Sequence, residues 1–387
     1  MRVSPLKGVR ALVLGAISAT ALAVAAPALA GGSPGAVYVQ TNTAPVNYVQ
    51  AFTRGSDGAL TTAGRYATGG AGNPAANPPL VIPFLDSAGS VELSDNGRLL
   101  FVVNAGSNSV SSFRVTSGGL ELADTEPSFG SRPISATSFN SKLLYVLNSN
   151  TGAASISGYR VTQDGSLAPI PGSVQPTADT NGLPAQIAFS AHGDLLAVTQ
   201  RFEGATGAID TFRVGVDGVA QAAVSHPAAD ETPFGLDFTR RNQMIVSNEH
   251  FSNPGASTMA SYDVSSSGSV TPVDLEPTNA GAACWTVITN DNRFVYATAP
   301  FTLSVVGFRI SPAGGLTPIT PTSHVAEATG LTLDEAASHD SRFLYVLSSA
   351  FFAGDTVLSY RIENDGTLTA IGETAPFEGS AAGLAAW

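Results

Sequence analysis

The chain has 387 residues, with 18 Lys and Arg against 30 Asp and Glu, a formal net charge of −12 and a single cysteine. That acidity argues against nucleic acid and anionic membranes as partners, because both are bound by basic surfaces that displace counterions. One cysteine excludes an intramolecular disulfide, so stability has to come from a packed core.

The chain opens on Arg2, Lys7 and Arg10, then an apolar run over residues 11–27 and the small-residue pattern Ala28-Leu29-Ala30. This is the layout of a cleaved export signal. A retained anchor is the alternative, but the run is short for a bilayer span, and no cysteine near the cleavage point could take a lipid. A secreted or periplasmic location follows, with no membrane contact after cleavage. Without the three basic residues of the signal, 15 basic residues face 30 acidic ones, a formal charge of −15.

From residue 31 onward one unit recurs. An apolar strand ends in a small polar residue, a loop follows, and a second strand ends in aromatic-Arg-Val or a close variant. In chain order the copies are AVYVQTNTAPVNYVQAF (36–52), LLFVVNAGSNSVSSFRV (99–115), LLYVLNSNTGAASISGYRV (143–161), LLAVTQRFEGATGAIDTFRV (195–214), MIVSNEHFSNPGASTMASYDV (244–264), FVYATAPFTLSVVGFRI (294–310) and FLYVLSSAFFAGDTVLSYRI (343–362). The second-strand aromatics Phe52, Phe113, Tyr159, Phe212, Tyr262, Phe308 and Tyr360 recur about every fifty residues.

Each marker is followed by a Gly-rich turn and another strand, as in QDGSLAPI (163–170). Each apolar strand is preceded by one more, as in LPAQIAFS (183–190). Four short antiparallel strands per repeat describe a propeller blade, so the predicted fold is an all-β, seven-bladed β-propeller forming one domain over 31–387. No segment sustains the apolar period of a helical solenoid. The first copy lacks its innermost strand, and SAAGLAAW (380–387) resembles it. Residues 381–387 are therefore predicted to complete the first blade and close the ring.

With the strands of a blade labelled A to D from the axis outward, the A–B and C–D turns fall on one face and are short. Examples are SDNG (94–97), SHDS (338–341), SDG (56–58) and VDG (216–218). The B–C and D–A loops fall on the other face. They vary in length, with a Gly/Pro-rich insertion at 64–88 and long loops at 201–208, 248–258 and 349–355. Loops on a rigid scaffold carry binding groups, which makes this the predicted working face.

Arg201 and Glu249 occupy equivalent positions just beyond strand B in adjacent blades and could pair. Asn248, His250 and Glu203 lie beside them, and His226, Asp230 and Glu231 fall in the D–A stretch entering blade five. Glu249 and His250 are the candidate acid–base groups, with a purely structural hydrogen bond the competing reading of His250. Arg201, Asn248, Gln186 and Trp285 are the candidate substrate contacts. Gln186, Gly235, Trp285 and Asp334 share one inner-strand position and are predicted at the channel mouth. Trp285 is either a stacking platform for a ring-shaped ligand or a filler of the axis. His192 and His339 read as solvated turn residues. No metal-ligand spacing or phosphate-cradling loop stands out, so neither metal nor cofactor is expected.

The LYV-Asn strands, aromatic-Arg-Val strands and DGSL or DGTL turns resemble the lactonase propellers, the 6-phosphogluconolactonase and 3-carboxymuconate cyclase family, over essentially the whole chain beyond the signal. That family carries a Pro-Arg-His strand followed by Asn-Glu in one blade. In TPFGLDFTRRNQMIVSNEH (232–250), Pro233, Asn248 and Glu249 match, while Phe234 and Gly235 stand at the Arg and His positions. Ala299-Pro300 stands where the next blade of the family tends to have Asn-Arg. The resemblance implies a hydrolase or cyclase acting on a small lactone, and a small-molecule or carbohydrate-like ligand is the expected partner. The substitutions imply the alternative, a propeller that binds a ligand or partner without turnover; an envelope interaction through the 64–88 insertion is a third reading. A monomer is expected.

Overall fold

The computed structural model describes Met1 and residues 35–73, 85–202, 204, 206–250, 253–350, 354–378 and 380–387. The predicted export signal, Glu203 and the middle of the 64–88 insertion lie outside them. Among the described residues no helix is long and apolar enough to cross a membrane.

Seven antiparallel sheets form the ring. Their innermost strands are Val91–Leu93, Pro133–Phe139, Pro184–Phe189, Pro233–Phe238, Thr286–Ile288, Leu331–Ala337 and, for the first blade, Ala382–Ala386. The C-terminal strand pairs with Ala36–Gln40, placing Tyr38 opposite Ala385 and Val39 opposite Leu384. The predicted closure is thus present: the two ends of the described ring share one sheet, leaving no open seam at the axis.

Blades pack face to face, so both faces of most sheets are buried and the B strands read as nearly continuous apolar runs, LLFVVN (99–104) and LLYVLN (143–148) among them. The seven marker aromatics are all buried. They join mixed clusters that bridge neighbouring blades: Tyr38 meets Leu100, Val102 and Phe113, and Tyr296 meets Leu344, Val346 and Tyr360. Buried tyrosine hydroxyls then stitch blade to blade. Tyr145, Tyr296 and Tyr345 on strand B donate to the carbonyls of Gly218, Gly366 and Gly58 in the C–D turn of the following blade. Each of those glycines has φ between 77° and 90°, a region that strongly favours glycine. The DG pairs legible in the sequence therefore shape a turn and also present an acceptor to the neighbouring blade.

Two departures from the sequence reading are local. The first blade's strand D runs Leu60–Ala67, so the start of the predicted 64–88 insertion is strand. In blades three and six strand D is split into two pieces, Leu167–Pro169 with Gln175–Pro176 and Leu316–Pro318 with His324–Glu327. Pro171 and Pro321 lie in the gaps and lack the N–H that the ladder needs, which an outer edge tolerates.

Candidate functional site

The ends of strands B bring Arg201 and Glu249 together. Arg201 follows Leu195–Gln200 in blade four and Glu249 follows Gln243–Asn248 in blade five, at matching positions. Each is tied back to the kink before its own inner strand: Arg201 Nε donates to the Leu183 carbonyl (3.2 Å), and Glu249 N donates to the Thr232 carbonyl (3.0 Å). Leu183 and Thr232, like Arg132 in blade three, precede a proline with φ of 51–59°. This left-handed kink turns the chain from the loop face into the ring.

The closest acidic partner of Arg201 is Asp86, a residue that sequence reasoning did not single out. Arg201 Nη2 lies 2.9 Å from Asp86 Oδ2, while Nη1 is 3.9 Å from Glu249 Oε1. The guanidinium also lies 5.4 Å from the centre of the Phe234 ring, a cation–π contact. The Cys284 thiol is 3.3 Å from Glu249 Oε2, and Arg132 Nη2 donates to the Leu85 carbonyl (2.9 Å) beside this group. Arg201 and Glu249 are 5% and 4% exposed. The available signal for Arg132 was its place before Pro133, the counterpart of Leu183 and Thr232. For Asp86 there was none, because it closes an irregular Gly/Pro-rich segment.

Burial sets the electrostatics of the group. Desolvation raises the Glu249 carboxyl to about 7, Arg201 holding it down and Asp86 pushing it up. Burial works against the Arg201 charge, but Asp86 and Glu249 outweigh it and the guanidinium becomes harder to deprotonate. Burial raises the Cys284 thiol well above its ordinary range, and the Glu249 charge adds to this. A carboxyl that exchanges its proton near neutrality, against a permanent cation, can serve as a general acid or base.

The remaining candidates are distributed elsewhere. His250 is engaged by the D–A stretch instead, its Nε2 lying 2.7 Å from Asp230 Oδ1 and its Nδ1 3.7 Å from Glu231 Oε2. Asn248 is buried within its blade and donates to Thr258 Oγ1 (3.1 Å). His226 belongs to strand D of blade four rather than to a loop, with Nε2 3.0 Å from Thr211 Oγ1.

Trp285 fills the axis. Its indole Nε1 donates across the ring to the Ser87 carbonyl (2.9 Å), and its ring meets Phe234 edge-on at 5.1 Å. Ala88, whose N–H reaches the Ala185 carbonyl, completes this plug. Gly235 is sealed in beneath: a Cβ there would come within 2.4 Å of the Cys284 carbonyl oxygen, so the backbone of blade six occupies the space a side chain would need.

Gln186 and Asp334 lie on the far side of the plug rather than at a mouth on the long-loop face. They line an axial cavity of about 600 Å³ rimmed by the A–B turns Ser94-Asp95, Ser190-Ala191, Asn290 and His339. His339 is not simply solvated, since its ring stacks on Trp387 at 4.1 Å. Inner-strand side chains here stitch each blade to the next. Glu92 Oε1 accepts from Ser138 N–H and Oγ–H, Gln186 Oε1 from Leu236 N, Asp237 Oδ2 from Ile288 N, and Asp334 Oδ2 from Leu384 N.

Desolvation raises Glu92 to about 8, Asp334 to about 7 and Asp237 to about 6. Carboxyls in the unfolded chain titrate near 4. The folded ring keeps these protons longer, so the stability they confer is complete below the unfolded pKa and is lost as the pH rises through about 6 to 8. Thermal melts are expected to give a Tm several degrees lower at about pH 8.5 than at about pH 5.5. The loss corresponds to about 3 kcal/mol once water reaching the cavity is allowed for; a flat profile over that range would contradict the assignment.

Residues 45–178 match the model of the family described as Lactonase, 7-bladed beta-propeller. Among solved structures, the periplasmic gluconolactonase of Pseudomonas aeruginosa superposes with a TM-score of 0.67 at 18% identity, over 90% of this chain and 98% of its own. A putative 6-phosphogluconolactonase from Bacteroides fragilis gives 0.62 at 18%, over 91% and 98%. A protein of unknown function from Desulfotomaculum acetoxidans gives 0.63 at 13%, over 92% and 99%. No curated protein matches the chain. At such identities the superpositions show the fold alone, over nearly the whole length of each neighbour, and the family likeness rests on residues 45–178. The chain thus has the seven-bladed β-propeller fold of these structures and, over residues 45–178, resembles the lactonase-type propeller family.

Proposed function

We propose that the protein is an exported, monomeric lactonase-like hydrolase of small lactones, with Glu249 as acid–base group and Arg201 as the cation that orients and polarises the substrate. The observation that carries this reading is the buried Glu249 carboxyl, raised to about 7 and set 3.9 Å from Arg201 at the loop end of the axis. In its ionised form Glu249 would take a proton from water as the water oxygen bonds to the lactone carbonyl carbon. Arg201 would stabilise the oxyanion, and the proton would return to the ring oxygen as the acyl–oxygen bond breaks. Export is supported by the N-terminal pattern of residues 1–30 and by a periplasmic gluconolactonase among the structures of the same fold.

Turnover of a panel of γ- and δ-lactones, including sugar-derived ones, tests the proposal. Glu249→Gln is expected to lower kcat by about a hundredfold or more. The wild-type kcat/KM should rise along an ionisation near pH 7, the value at which Glu249 becomes a base. Activity unchanged in Glu249→Gln would refute the assignment. The second reading, ligand binding without turnover, is favoured by Gly235, whose surroundings leave no room for the side chain that the family places there. Binding of a lactone with no hydrolysis would select it.

A further inference from the structure

The axial cavity on the short-turn face lies on the opposite side of the Trp285 plug from Arg201 and Glu249 and has no part in the reaction above. Its volume, about 600 Å³, is that of a small-molecule site. Glu92, Asp95, Asp237, Asp334 and Glu335 line it, against one cation, Arg240. Three of these carboxyls have a structural role, since Glu92, Asp237 and Asp334 accept backbone hydrogen bonds from the next blade.

Glu335 does not. It pairs with Val346 in its blade, and the corresponding inner-strand positions hold Val91, Ala136, Ile187 and Leu236 elsewhere in the ring. An apolar side chain therefore satisfies the fold at this position. Glu335 is 5% exposed, and neither carboxylate oxygen has a hydrogen-bond partner. Thr286, at the matching position of blade six, is 8% exposed with its Oγ1 equally unpartnered. Unpartnered polar groups in a buried setting are costly. Two of them lining one cavity mark where a ligand would supply the missing partners.

We propose that this cavity binds a small organic cation bearing more than one ammonium group. Among the described residues no three His, Cys, Asp or Glu side chains are grouped closely enough to hold a metal ion. The carboxyls are instead spread over blades two, five and seven, and those that keep their protons up to about 6 to 8 would give them up to ammonium groups separated along a chain.

Calorimetric titration of the full chain with spermidine at about pH 8 and low salt tests this, with calcium chloride and a neutral polyol of similar size as comparators. Saturable spermidine binding is expected, with no comparable binding of the polyol. Burial and the neighbouring Asp334 hold the Glu335 proton well above the ordinary carboxylate range, so the group would ionise only against a bound cation; Glu335→Gln, which loses no hydrogen bond, removes that option and should weaken binding about tenfold, and Asp95→Asn, at the exposed rim, should weaken it about threefold. Absence of saturable spermidine binding, affinity unchanged in both variants, or tighter binding of calcium at the same site would each overturn the proposal. Lactone turnover by Glu335→Gln should equal that of the wild type, so the two sites fail or succeed separately.

Discussion

Removing residues 381–387 is expected to abolish the cooperative native fold. The strand Ala382–Ala386 is the inner strand of the first blade, and without it Ala36–Gln40 becomes an open edge facing the axis. Ala381, Ala382, Leu384 and Ala385 are all buried, and the Trp387 carbonyl accepts from Arg54 Nε at 3.2 Å. Asp334 also loses the Leu384 N–H that it accepts, leaving a buried carboxyl less well satisfied. A buried Leu side chain contributes roughly 2–3 kcal/mol, and the lost ladder and blade contacts bring the total above about 5 kcal/mol, comparable to the whole stability of many domains. Circular-dichroism melts of the truncated chain should lack the wild-type transition. A truncated chain melting within a few degrees of the intact one would show that the ring does not depend on this closure.

Arg201→Met is expected to cost about 3–5 kcal/mol, because it leaves Asp86 and Glu249 buried without their shared cation. The pH dependence separates this cause from simple loss of packing, which Met largely preserves. Arg201 holds the Glu249 carboxyl down, so its removal raises that carboxyl further above 7. At about pH 5 Glu249 is neutral and the variant should come closer to wild-type stability; at about pH 8, with Glu249 ionised, the penalty should be largest. An equal drop in Tm at both values would mean that the guanidinium matters for its shape alone. On the proposed mechanism lactone turnover should fall with it, since that mechanism relies on Arg201 to polarise the carbonyl.

The propeller was legible because its signals are local and repeated. Seven buried aromatics at regular spacing, DG turns and alternating strands each report on a few adjacent residues, and repetition compensates for the weakness of any one. Even the ring closure could be read, since a blade lacking its first strand and a spare apolar strand at the other end are both visible in one dimension. The pairing of Arg201 with Glu249 was legible for the same reason: equivalent positions in adjacent repeats are neighbours in space.

What the sequence could not decide was direction. Glu249 and His250 are adjacent in the chain, yet Glu249 meets Arg201 while His250 meets Asp230 and Glu231, because consecutive side chains at the end of a strand diverge. Gln186, Trp285 and Asp334 share a repeat position, yet only the assembled ring shows that Trp285 bridges to Ser87 and separates the other two from Arg201. Asp86 reaches Arg201 across two blades from an irregular segment with no repeat partner. The repeat pattern alone thus determined the ring and its order. Which residues meet at the axis, and which of its two ends each group faces, was decided only by tertiary structure, where blades far apart in the chain converge on the same few ångströms.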